Sequence, residues 1–136
     1  MRPGEIFTAA AAPLLLGSCA LDGGPAKACS DAVTVYFSRG FAQIDLDALN
    51  QVLVAVSTLN ACPAARATVT GHIDGAEVGT PGLGLSRAAN VGSVMAKNGI
   101  ERSRITVRNA GFDAPARPTA PGIAEPRNRF VAIEWG

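Results

Sequence analysis

The chain has 136 residues, 48% of them hydrophobic, 17% charged and 5% aromatic, with a formal net charge of +1. That suits one compact domain. The near-neutral balance argues against a nucleic-acid binder, which carries a basic face, and the ample apolar content argues against a disordered chain. A single histidine rules out HExxH zinc chemistry and a His-rich metal cluster. No metal site and no cofactor are expected.

The first 18 residues read as a targeting segment. Arg2 is their only basic side chain, and Glu5 partly offsets it. Residues 6–16 form an apolar stretch rich in Ala and Leu, long enough for a signal-peptide core and too short to span a bilayer. Leu16-Gly17-Ser18-Cys19 follows and resembles a bacterial lipobox. The resemblance implies a diacylglycerol on the sulfur of Cys19 and cleavage before it. Ala20, where a sorting rule would read Asp, points to the outer membrane and its periplasmic face. The alternative is an ordinary secretory signal with a chance cysteine. Residues 19–31, with Gly23, Gly24, Pro25 and Ser30, have no periodicity and read as a tether. About a dozen extended residues reach on the order of 40 Å.

The folded part is expected over residues 32–136. Residues 33–37 (VTVYF) are β-branched and aromatic and predict a strand. Asp45 or Asp47 is positioned to cap a helix in which Leu49, Val52, Leu53, Val56 and Leu59 follow helical spacing, ended by Pro63. Residues 67–73 (ATVTGHI) predict a second strand, where Gly71 allows close approach of another element. A Gly-rich loop over 74–82 precedes a helix over about 84–98, and Gly99 with Ile100 has the pattern of a left-handed C-terminal cap. Residues 105–107 predict a third strand. Residues 110–126 hold four prolines and two glycines and read as a long loop. Residues 129–135 alternate and predict the last strand. The order β-α-β-α-β-β predicts an α+β sandwich, a mixed four-stranded sheet with helices on one face.

Cys29 precedes the first strand, and Cys62 lies between the first helix and the second strand. In a right-handed β-α-β unit both fall at the same end of the sheet. Export favours a disulfide there. Two free thiols are the alternative.

Three blocks in order carry a resemblance. They are Val69-Thr70-Gly71-His72-Ile73-Asp74, Leu83-Gly84-Leu85-Ser86-Arg87-Ala88-Ala89-Asn90-Val91, and Glu125-Pro126-Arg127-Asn128-Arg129-Phe130-Val131. Together they resemble the V-x-G-H-T-D, L-[SG]-x-x-R-A-x-x-V and N-R-R-V signatures of the OmpA-like peptidoglycan-binding domain family, shared by OmpA C-termini, Pal lipoproteins and MotB. The resemblance implies a noncovalent, non-enzymatic hold on the diaminopimelate of the peptidoglycan stem peptide. That group presents an ammonium and a carboxylate. Asp74 is expected to accept the ammonium, and Arg87, with its planar fork, the carboxylate. Thr80 stands where the family has a loop asparagine, and Asn128 and Arg129 flank the site. A mutual Asp74–Arg87 ion pair is the structural alternative. His72 is expected to be a buried imidazole hydrogen-bonded to backbone; a pocket-lining role is the alternative.

The chain departs from the family pattern at Ile73, Phe130 and Ser38, and its 74–87 loop is short. Each change removes a polar group from the binding edge. This leaves open a second reading, an envelope module that keeps the fold, has lost peptidoglycan and engages protein partners. Gly79, Gly82 and Gly84 match no phosphate-cradling motif, and no G-x-S-x-G elbow surrounds Ser86, so neither nucleotide binding nor catalysis is expected.

Overall fold

The computed structural model describes residues 29–136. The targeting segment, Cys19 and most of the expected tether lie outside the described residues. The elements are β1 (Asp31–Tyr36), α1 (Leu46–Asn60), β2 (Ala67–His72), α2 (Leu83–Lys97), β3 (Ile105–Gly111) and β4 (Phe130–Trp135). Single 3-10 turns occupy Gly75–Glu77, Arg102–Arg104 and Pro126–Asn128. The sheet order is β1-β4-β2-β3. Strand β4 is antiparallel to both β1 and β2, while β2 and β3 run parallel. The expected mixed four-stranded α+β architecture is what forms.

Local chemistry accounts for both ends of α1 and for the end of α2. Asp45 is the α1 cap: its side chain accepts from the Ala48 amide at 2.8 Å. At the other end, the Arg104 guanidinium donates to the carbonyls of Leu59, Cys62 and Ala65, supplying positive charge and donors where the helix leaves carbonyls unpaired. Helix α2 ends as its sequence predicts. Gly99 has φ +102°, and the Gly99 and Ile100 amides donate back to Ala96 and Met95. Ile100 is 1% exposed and completes the motif.

The buried stripe of α1 is Ala48, Val52, Ala55, Val56 and Leu59. It is offset from the predicted one: Leu53 is exposed. The small alanines let the helix lie close to the sheet, and Leu53 falls on its flank. Strand β3 runs to Gly111, beyond the predicted Val107. Its later residues Asn109, Ala110 and Gly111 have weak strand preference, but pairing with β2 through a register shift at Gly71 and His72 holds them in the ladder. The core sits between the helices and one sheet face, where Val35, Val52, Leu59, Val69, Val91, Met95, Val131 and Ile133 are all fully buried.

Two constraints fix how the layers sit. A Cβ built on Gly71 would lie 1.7 Å from the Gly84 carbonyl oxygen, so β2 and α2 touch backbone to backbone. A disulfide joins Cys29 to Cys62 with their Cα atoms 5.4 Å apart, and ties the start of β1 to the α1–β2 connection. Gly71→Ala is expected to lower stability by about 3 kcal/mol or more, because a backbone group has no room to move aside. Cys29→Ser is expected to cost about 3–4 kcal/mol by releasing the crosslinked loop. Urea unfolding midpoints of the two variants beside the parent check both values.

Candidate functional site

The residues singled out from the sequence gather where β1 and β2 end and β4 begins. Asp74 leaves β2 in extended conformation and caps the Gly75–Glu77 turn. Its Oδ1 accepts from the Ala76 amide at 3.0 Å. Its Oδ2 accepts from the Glu125 amide at 2.9 Å and from Arg129 Nη1 at 3.0 Å. Asp74 is fully buried, so the negative charge rests on three donors, one of them the Arg129 cation, as a buried carboxylate requires.

Arg87, in the second turn of α2, is also fully buried. Nε donates to the Phe41 carbonyl at 2.8 Å. Nη1 donates to the His72 carbonyl at 3.0 Å and to Glu77 Oε1 at 2.8 Å. Nη2 donates to the Ser38 carbonyl at 3.1 Å and to Glu77 Oε2 at 2.6 Å. All five donors of the guanidinium are thereby engaged. The Phe37 ring lies beneath it, 5.4 Å from Cζ to centroid.

Asp74 and Arg87 therefore do not pair with each other. Glu77 stands between them. Its Oε1 accepts from both the Asp74 amide and Arg87, and its Oε2 accepts from the Gly40 amide and Arg87. The Glu77 side chain is only 3% exposed. Its carboxylate fills the planar fork that the sequence offers to a ligand carboxylate. Burial by itself would raise the Glu77 carboxyl, but the Arg87 hydrogen bonds, the Gly40 and Asp74 amides and the Arg87 charge hold it below its ordinary value.

Sequence reasoning passed over Glu77, reading residues 74–82 as loop. The signal was there: an acidic cap followed three residues later by Glu is a capping box, and the Glu77 side chain does accept from the Asp74 amide at 3.0 Å.

The remaining residues take separate places. Thr80 is exposed in the loop, and its backbone bonds to Glu77 and Leu83. Asn128 is fully buried and staples the long loop to itself, accepting from the Arg117 amide at 2.7 Å and donating to the Arg117 carbonyl at 2.8 Å. Arg129 donates Nε to the Phe37 carbonyl as well as Nη1 to Asp74, and its side chain is 13% exposed. His72 is buried and stacks on Phe130, ring centroids 4.1 Å apart. Its Nδ1 finds no partner among the described residues. Burial pushes the imidazole below its ordinary pKa, against a smaller upward pull from Glu134, so it is neutral at pH 7. Among the described residues no three His, Cys, Asp or Glu side chains meet in a way that would hold a metal ion.

The depressed Glu77 carboxyl sets an acid dependence. Its contribution to stability is fully present above the ordinary Glu value of about 4.3 and is lost as pH falls through the lower folded value. Urea midpoints measured from pH 7 to pH 3 should show this loss, and Glu77→Gln should flatten that part of the curve. Arg87→Met strands the Glu77 charge in the interior and is expected to cost about 3–5 kcal/mol at pH 7. Arg87→Met combined with Glu77→Gln should recover part of that loss, read from the same unfolding curves.

Solved structures share this architecture. The peptidoglycan-associated lipoprotein from Burkholderia pseudomallei superimposes with a TM-score of 0.68 at 17% identity, covering 76% of this chain and 90% of that one. The OmpA-like domain of FopA1 from Francisella tularensis gives 0.68 at 16% identity, over 76% and 70% of the two chains. The cell wall anchor of the T6SS from Pseudomonas aeruginosa gives 0.63 at 23% identity, over 76% and 78%. At these identities the likeness is one of fold. No curated protein sequence matches the chain. The OmpA family model matches residues 36–129, a span that runs from the end of β1 through α1, β2, α2 and β3 to the Arg129 that meets Asp74: the chain belongs to the OmpA family.

Proposed function

We propose that this domain is a non-catalytic anchor that holds peptidoglycan noncovalently from the outer membrane. Cys19 carries the lipid end, and the cluster around Asp74, Arg87 and Arg129 carries the wall end. The observation that carries this reading is the bidentate seat of the Glu77 carboxylate on Arg87. Its guanidinium is held rigid by three backbone carbonyls. A fork fixed in this way is built around carboxylate recognition. Arg129, bonded to Asp74 yet partly exposed, extends the same cluster to solvent. Family membership and the fold shared with a peptidoglycan-associated lipoprotein and a cell wall anchor support the substrate class.

One observation favours a second reading. The Asp74 and Arg87 side chains have no exposure at all, and Glu77 occupies the fork. With that seat filled, the family fold serves as a docking module for envelope proteins.

The chain carrying Cys19→Ser, exported to the periplasm and purified, separates the two. On the wall-binding reading it pellets with purified diaminopimelate-type sacculi and is released by excess free diaminopimelate. Arg129→Gln should pellet at least fivefold less while remaining folded by circular dichroism. A parent protein that stays in the supernatant transfers the function to protein partners. Membrane fractionation checks the lipid end: the Cys19→Ser protein should move from the membrane pellet to the soluble fraction.

A further inference from the structure

We propose that the groove between the free edge of β1 and the first turns of α1 takes up an extended basic segment of a partner protein as a fifth strand. The backbone of that segment pairs with Thr34 and Tyr36, and its Lys or Arg side chains meet Asp45 and Asp47. The inference goes beyond the wall-binding reading and does not depend on it. The groove is separate from the sealed Glu77–Arg87 pair.

Strand β1 is an edge of the sheet, and the phase of its pairing fixes which backbone groups are left over. The Phe37 amide donates to the Arg129 carbonyl at 2.9 Å, one step beyond the Tyr36–Phe130 pair. Bonded and non-bonded residues alternate in an antiparallel ladder. Val33, Val35 and Phe37 therefore bond to β4, while Ala32, Thr34 and Tyr36 turn their N–H and C=O groups outward. The Asp31 carboxylate closes off the Ala32 amide at 2.8 Å. The outward groups of Thr34 and Tyr36 have no hydrogen-bond partner among the described residues. Both residues border a cavity of about 660 Å³ whose far wall is the start of α1. An edge of unpaired backbone that opens on a cavity is a template for strand addition.

The far wall selects the side chains. It carries Asp45, Asp47 and Gln51. Asp45 uses Oδ1 for the α1 cap, and its Oδ2 has no partner among the described residues. Asp47 makes no side-chain hydrogen bond or ion pair among them. Arg129, the cation that borders the same cavity, is bonded to Asp74 and to the Phe37 carbonyl. The two α1 carboxylates thus have no counter-charge there. Side chains of an added strand point alternately to the two faces of the sheet. Those on the helix face meet Asp45 and Asp47, which calls for Lys or Arg. Those on the other face lie beside Thr34 and the half-exposed Tyr36, which suits β-branched or aromatic residues.

The test uses the isotope-labelled chain carrying Cys19→Ser and a hexapeptide of alternating lysine and valine, blocked at both ends. Hydrogen exchange of the Thr34 and Tyr36 amides is expected to slow at least tenfold when the peptide is added. In an antiparallel addition the residues opposite Thr34 and Tyr36 are valines, and their backbone groups make the bonds. N-methylation of the valines should weaken binding at least tenfold, and so should glutamate in place of lysine. Asp45→Asn combined with Asp47→Asn removes both charges, and Asn still caps the helix. This variant should keep the folded spectrum and bind the lysine peptide at least tenfold more weakly.

Unchanged exchange at Thr34 and Tyr36 overturns the proposal even where the peptide binds, since binding elsewhere is not strand addition. Equal binding of the glutamate peptide or of the valine-methylated peptide overturns it too. Slow exchange at these amides in the free chain that is lost on dilution makes a second copy the occupant and overturns the partner assignment. Pelleting with sacculi reads the wall site alone. A parent protein that stays in the supernatant sinks the wall-binding reading, whereas the groove assignment stands or falls on the exchange result.

Discussion

The structure depends on one buried ion pair. Arg87 is the largest fully buried side chain among the described residues, and placing its charge there requires complete satisfaction. The guanidinium obtains it by drawing carbonyls from Ser38 and Phe41 in the β1–α1 connection and from His72 at the end of β2, together with the Glu77 carboxylate. Three separate stretches of chain must therefore arrive together before the charge is paid for. Breaking the pair would leave an uncompensated charge in the interior, whereas keeping it couples the loop, the strand end and the helix into one unit.

That coupling is possible only because the layers come unusually close. Gly71 and Gly84 meet backbone to backbone, which brings the start of α2 down onto the sheet and sets Arg87 at the end of β2. Insertion of β4 between β1 and β2 does the corresponding work on the other side. It delivers Arg129 to Asp74 across 55 positions of sequence. The two ion pairs share the Asp74–Glu77 turn: Asp74 pairs outward with Arg129 and Glu77 pairs inward with Arg87. Glu77 and Asp74 also bond to each other through the capping box, so the turn acts as a rigid joint between a sealed pair and a partly exposed one. The chemistry accessible to solvent thus shifts from Arg87 to Arg129, on the side of the cluster that borders the β1–α1 groove.

Much of this was legible from residue order. The apolar periodicity of α1, the Asp45 cap, the Gly99–Ile100 terminator, the close-approach glycine in β2 and the alternating last strand are local signals, and each acts within a few residues of where it is written. The side of α1 that faces the sheet was read less well. Leucines outrank alanines in hydrophobicity, yet a helix packed closely on a sheet buries its small residues first, so Ala48 and Ala55 lie inward and Leu53 outward. The length of β3 was hidden for a related reason: its last residues are held by the ladder with β2 rather than by their own preference.

By itself the sequence determined the α+β element order, the helix caps, the cysteines at one end of the sheet and the family blocks around Asp74, Arg87 and Arg129. These follow from short-range spacing and composition. Only the tertiary structure decided which charge meets which. An ion pair is set by distance in space, and the Asp74–Glu77 capping spacing marks a local turn without naming the cation that Glu77 meets. Folding put that glutamate into the fork of Arg87 and gave Asp74 to Arg129, because each buried charge had to find donors or acceptors within reach once water was excluded.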